Sequence, residues 1–129
     1  LNGVGATNIE GGVIPVVKSL HYREVTSLDM AQDQQIQQWL ESHRHEKGIH
    51  YKRKGKKIYI LISGGERPTG GYKVVIDQAR LETLDSAYVS AHITGPKPGV
   101  MVVQKLTYPY ACIQVESEDI KNVQGALMG

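Results

Sequence analysis

The chain has 129 residues, of which 40% are hydrophobic and 22% charged, with a formal net charge of +2. That balance supports one globular core and excludes a disordered chain or a strongly basic nucleic-acid binder. A single cysteine, Cys112, excludes an intramolecular disulfide and a cysteine-based metal cluster, and no run of about 18 apolar residues is present to form a transmembrane helix.

Phe is absent, so seven Tyr and one Trp carry the aromatic packing. Residues 1–12, rich in Gly, Asn and Thr, predict a flexible arm, and residues 13–129 a single domain. Apolar residues return at Ile14, Val16 and Val17 around Pro15, which suits an edge strand within 13–28. The clearest helix is expected over about 29–47, with Asp29 as N-cap and Gln32 completing a capping box. Its stripe is Met30, Asp33, Ile36, Trp39, Leu40 and His43, with Ile36, Trp39 and Leu40 facing a sheet and Gly48 as the stop.

Beyond Gly48 the pattern turns to strands. Residues 49–53 and 57–63 flank Lys54-Gly55-Lys56 as a hairpin. Strands are expected at 72–80, 87–94, 100–106 and 110–116. In the last, Ala111, Ile113 and Val115 face one way and Cys112 the other. Ser117-Glu118-Asp119 reads as the cap of a short C-terminal helix carrying Ile120, Val123 and Leu127 on one side. The fold class is α+β: an antiparallel β-sandwich or partly open barrel with the long helix packed on it.

Three loops interrupt the strands. Gly64 to Tyr72 is too long for a plain turn, and the strand after it is the wrong context for a phosphate loop, which opens a helix. Gly95-Pro96-Lys97-Pro98-Gly99 is a rigid turn, and Thr107-Tyr108-Pro109-Tyr110 places a proline between two tyrosines. Alternate connections of a sandwich emerge at one end, so the three loops are expected to cluster. The candidate partner-binding residues are Glu66, Arg67, Pro68, Thr69, Gly70, Gly71, Tyr72, Pro96, Lys97, Pro98, Tyr108, Pro109 and Tyr110.

Catalytic and metal signals are weak by comparison. His43 and Glu46 share a helical face, but two ligands do not make a zinc site, so the histidines read as solvated surface groups. Cys112 sits between apolar neighbours and reads as an inert buried thiol. Lys52-Arg53-Lys54-Gly55-Lys56-Lys57 reads as a solvated hairpin tip. No cofactor, metal or catalytic residue is assigned.

At the loops the sequence resembles the C-terminal domain of the PrcB family, a bacterial protease-complex subunit family. The resemblance rests on Gly65-Glu66-Arg67-Pro68-Thr69-Gly70-Gly71-Tyr72, Pro98-Gly99, Gln104 and Thr107-Tyr108-Pro109-Tyr110, and covers about 58–116. It implies an exported bacterial protein, often an accessory to a larger protein, in the cell envelope or outside the cell, and does not imply an enzyme. The same loops resemble, more loosely, chagasin-type inhibitors of papain-like cysteine proteases, which implies an Ig-like sandwich gripping a protease cleft. Here Arg67 stands in place of the inhibitors' Asn, Gly70 of a Thr and Tyr108 of an Arg. The expected function is a non-catalytic protein-binding module whose partner is another protein, a protease among the candidates, with cysteine-protease inhibition as the alternative.

Overall fold

A computed structural model describes residues 18–129. The flexible arm expected at 1–12 and the Pro15 segment therefore lie outside the described residues. Two sheets of four strands each face one another without closing into a barrel. The strands are β1 (Lys18–Ser19), β2 (Arg23–Glu24), β3 (Gly48–Lys54), β4 (Lys57–Ser63), β5 (Lys73–Thr83), β6 (Ser86–Thr94), β7 (Tyr110–Glu116) and β8 (Asn122–Met128). One sheet has the order β1-β5-β6-β8 and the other β2-β7-β4-β3. The two-residue strands β1 and β2 lie at sheet edges.

β4 is buried along nearly its whole length, because both of its faces are covered. Ile58, Ile60 and Ile62 meet Ala79, Ala87, Val89 and Ala91 of the opposite sheet, with Ile113 and Val115 alongside. Leu61 and Cys112 point the other way and pack under Leu40 of the helical layer. A continuous apolar run is what a doubly covered strand requires. The buried amide of Gln114 on that helical side is satisfied: it donates to the Tyr59 hydroxyl (3.2 Å) and accepts from the Arg23 guanidinium (2.9 Å).

The long helix is instead two: α1 (Ser27–Ala31) and α2 (Gln34–His43). Asp29 is not the N-cap. Thr26 is, and Asp29 closes the capping box from the third helical position. Asp33 breaks the run because it becomes the N-cap of α2: its carboxylate accepts from the Ile36 amide (3.2 Å) and pairs with Lys54 Nζ (2.5 Å). Ile36 and Leu40 are buried as expected, whereas Trp39 is only half-buried, at the margin of the Leu40–Leu61–Cys112 cluster.

Two further expectations fail. Residues 100–106 form no strand; the segment lies across the 64–72 loop, with the Gly70 amide donating to the Val103 carbonyl (2.8 Å). The expected C-terminal helix is β8, paired parallel to β6 from Ser86↔Asn122 to His92↔Met128, so the sandwich is not wholly antiparallel. Ser117 Oγ accepts from the Asp119 and Ile120 amides (both 3.2 Å), which makes a turn rather than a helix cap. The Asp85 carbonyl then takes the Lys121 and Asn122 amides (2.7 and 3.0 Å) and steers the chain onto the open edge of β6. An available sheet edge overrides a weak local preference.

The basic hairpin closes through Gly55 at φ 62°. Arg53 ties it to the 117–120 turn through the carbonyls of Ser117 (2.7 Å) and Ile120, and Lys56 pairs with Glu118 (3.5 Å).

Gly125 of β8 is crowded both by its strand neighbour β6 and by β3 of the facing sheet. A Cβ there would lie 1.9 Å from the Val89 carbonyl oxygen and 2.6 Å from Ile49 Cδ1 of β3. Gly125→Ala should therefore destabilise by about 3 kcal/mol or more, at the upper end of overpacking costs, as read from the urea midpoint.

The Asp29 carboxyl is held down at about 2, first by the Thr26 amide, then by the Arg23 guanidinium and the Thr26 hydroxyl. A carboxyl lowered on folding adds stability that is present above its unfolded value of 3.8 and lost as pH falls through about 2. Asp29→Asn removes that component, so the gap between wild-type and variant urea midpoints should shrink from about pH 5 to about pH 2.

Candidate functional site

The loops are positioned by the end of the β4–β7 ladder. Its last pair is Ser63↔Tyr110, and one step further the Gly64 amide donates to the Pro109 carbonyl (2.8 Å). The chain leaving β4 and the chain entering β7 therefore continue side by side. Arg67 and Thr107 exchange both backbone hydrogen bonds (2.9 Å each), and Thr107 Oγ1 donates to the Thr69 carbonyl (2.6 Å). The Tyr108 hydroxyl donates to Glu66 Oε1 (3.1 Å). That hydrogen bond, with some desolvation, pushes the phenol above its ordinary pKa.

The 95–99 loop rests on the same structure. Gly71 has φ 90°, and a Cβ there would lie 2.8 Å from Pro96 Cβ and 2.9 Å from Val102 Cγ1. Gly95 in turn sits against the Tyr72 ring, where a Cβ would come within 3.3 Å. The three loops named from the sequence thus meet as one packed assembly.

Their side chains divide by role. The Arg67 guanidinium does not project. It folds inward, donates to the Gly64 carbonyl through Nε (3.2 Å) and Nη2 (3.0 Å) and to the Gly129 carbonyl (3.2 Å), and lies 5.6 Å from the centre of the Tyr72 ring. It is a staple of the loop. Tyr110 is half-buried beside Leu40, Leu61 and Cys112, and desolvation raises its phenol pKa. Glu66, Pro68, Lys97 and Pro98 are exposed.

Two contributors escape a reading of the sequence. The first is the end of α2. Arg44 donates to the Tyr108 carbonyl (3.3 Å) and stands 5.1 Å over the Tyr110 ring, and His45 meets the edge of Tyr108 with ring centres 4.2 Å apart. Arg44 helps line an open cleft formed by Gly70–Val74 and Thr107–Tyr110. In a helix drawn through to 47 these residues read as ordinary exposed positions. The second is the apolar segment beside the cleft: Met101 is 97% exposed, Val103 59%, Val100 56% and Leu106 55%. Its alternation reads as a core strand, and only the absence of a sheet partner turns it outward.

Cys112 is buried on the helical side of β7 and contributes nothing to this surface.

Residues 58–116 match the family model described as PrcB C-terminal, so the resemblance read from the loop motifs is shown for that segment. A search of the curated proteins and one of the solved structures return no match. The matched segment runs from the start of the doubly buried β4 to the end of β7 and holds all three loops.

Burial pushes the Cys112 thiol up to about 12. At neutral pH the thiolate is therefore scarce and the sulfur unreactive. A thiol reagent should label the folded protein at least about 100-fold more slowly than the urea-unfolded chain, followed by absorbance, because labelling then waits on opening of the structure.

Proposed function

We propose that the protein is a non-catalytic protein-binding module, an exported accessory of a larger assembly, and that the locked loops with the segment Val100–Leu106 form its contact surface. One observation carries the reading: four large apolar side chains stand exposed within seven residues, on a segment braced by the loops beneath it. A concentrated exposed apolar patch marks an interaction site rather than an ordinary surface. Lys97 and Lys105 supply a polar rim, and the phenol of Tyr108 adds an amphipathic group of the type favoured in interfaces. The match to the PrcB C-terminal family supports an accessory role.

The internal hydrogen bonds of the loops favour docking over cleft-wedging inhibition. Arg67 spends its donors on Gly64 and Gly129, and the 95–99 loop is packed down on Gly71 and Tyr72. A purified domain titrated into papain should leave the activity unchanged, and stoichiometric inhibition would promote the inhibitor reading.

Met101→Asp with Leu106→Asp should weaken capture of the native secreted partner by at least about tenfold, since buried anchors commonly exceed about 1–2 kcal/mol on truncation. Arg67→Ala should act differently, lowering the thermal midpoint by loosening the loop. The measurement is affinity capture from the native secretome, followed by titration of the recovered partner against each variant. Equal binding by the double variant would show that this is not the working surface.

A further inference from the structure

A second cluster lies where α2 gives way to β3. His43 is in the last turn of α2, Glu46 in the turn between them and His50 in β3. One donor atom from each lies within 4.8 Å of the other two. His43 Nδ1 is 3.3 Å from Glu46 Oε1, and the two imidazoles stack with centres 5.0 Å apart at 30°. We propose that His43, Glu46 and His50 form a binding site for a divalent transition metal, Zn²⁺ by preference, with water completing the coordination.

The donor set and the spacing both fit. Imidazole nitrogen and carboxylate oxygen are zinc ligands at about 2.0–2.2 Å, so donors around a tetrahedral ion stand roughly 3.3–3.5 Å apart. His43 and Glu46 already have that separation. The third donor has to move by about 1.5 Å at most, which suits a partly exposed ring facing an exposed carboxylate. Three protein ligands at the surface leave a position open for water.

The surroundings hold the ligands and favour positive charge. His50 Nε2 lies 2.9 Å from the Glu46 carbonyl, which fixes the ring against the turn in the manner of outer-shell bonds to metal-binding histidines. The His43 ring packs on Trp39, with centres 6.0 Å apart, and its carbonyl accepts from Ser63 Oγ (3.3 Å). The carbonyl end of α2 is the negative end of the helix dipole. Of the neighbouring cations, Arg44 is directed to Glu41 and the Tyr108 carbonyl, and the stem of Lys47 packs against Gly65. The turn after α2, closed by the Glu46 amide on the His43 carbonyl (3.0 Å), leads into β3 at Gly48 and brings His50 back to His43.

The test is calorimetric titration of untagged protein with Zn²⁺, with His43→Ala, His50→Ala and Glu46→Gln compared with His45→Ala and His21→Ala. The expected result is one saturable equivalent, weakened in each histidine ligand variant by more than the roughly 10–100-fold that loss of an outer-shell partner costs, and unchanged in the two controls. Glu46→Gln, at an exposed position, guards against a folding defect and should also weaken binding. In the wild type, Zn²⁺ should shift the ring NMR signals of His43 and His50 and not those of His92. The proposal is overturned if the wild type shows no saturable uptake, or if all variants bind alike.

Discussion

The antiparallel register of β4 with β7, from Lys57↔Glu116 to Ser63↔Tyr110, is the constraint on which the rest of the molecule depends. It aligns Ile58, Ile60 and Ile62 with Val115, Ile113 and Ala111 toward the opposite sheet, and Leu61 with Cys112 toward the helices. A slip of one residue would turn every one of these side chains to the wrong layer. The same register decides where the two chains leave the sheet. Past Ser63 and Tyr110 they must run together, and the 64–72 and 107–110 loops become neighbours for that reason alone.

The resulting loop assembly is held by backbone contacts more than by side-chain packing. Paired amides and carbonyls at Gly64–Pro109 and Arg67–Thr107 extend the ladder into the loops. Gly71 lets Pro96 and Val102 approach to distances that a Cβ would forbid, and Gly64 packs tightly against Pro109. Arg67 closes the structure from within. A surface ordered before binding loses less conformational entropy when a partner arrives, which is the physical advantage of such a scaffold for recognition. The segment from Val100 to Leu106 is held on this base with its apolar side chains outward.

The helical layer has two tasks. Leu40 covers Leu61 of β4 and Cys112 of β7, while the residues at the end of α2 and just past it serve two different contacts. Arg44 and His45 support Tyr108 and Tyr110, and His43 with Glu46 meets His50. The loop surface and the histidine cluster are therefore anchored to one helix terminus, by neighbouring residues.

The amino-acid sequence by itself determined the strands whose signal is local: the Gly55 hairpin, β5, β6 and the two-faced β7, together with the loops that lie in the matched segment 58–116. These are written in alternation and in turn residues, which act over a few positions. It misplaced features that depend on a distant partner. Asp33 caps a helix rather than lying within one, helped by Lys54 from the hairpin. Residues 122–128 are a strand because β6 has an open edge, and 100–106 are not, because no edge is offered to them. The three loops that carry the thirteen candidate residues were legible by motif, but the contacts of their side chains were not. Whether Arg67 points out or in is set by the carbonyls of Gly64 and Gly129, and whether His50 meets His43 and Glu46 is set by the turn that joins α2 to β3. Hydrogen-bond partners and sheet edges are supplied by the folded chain, far from the residues that use them, and only the tertiary structure decides which are available.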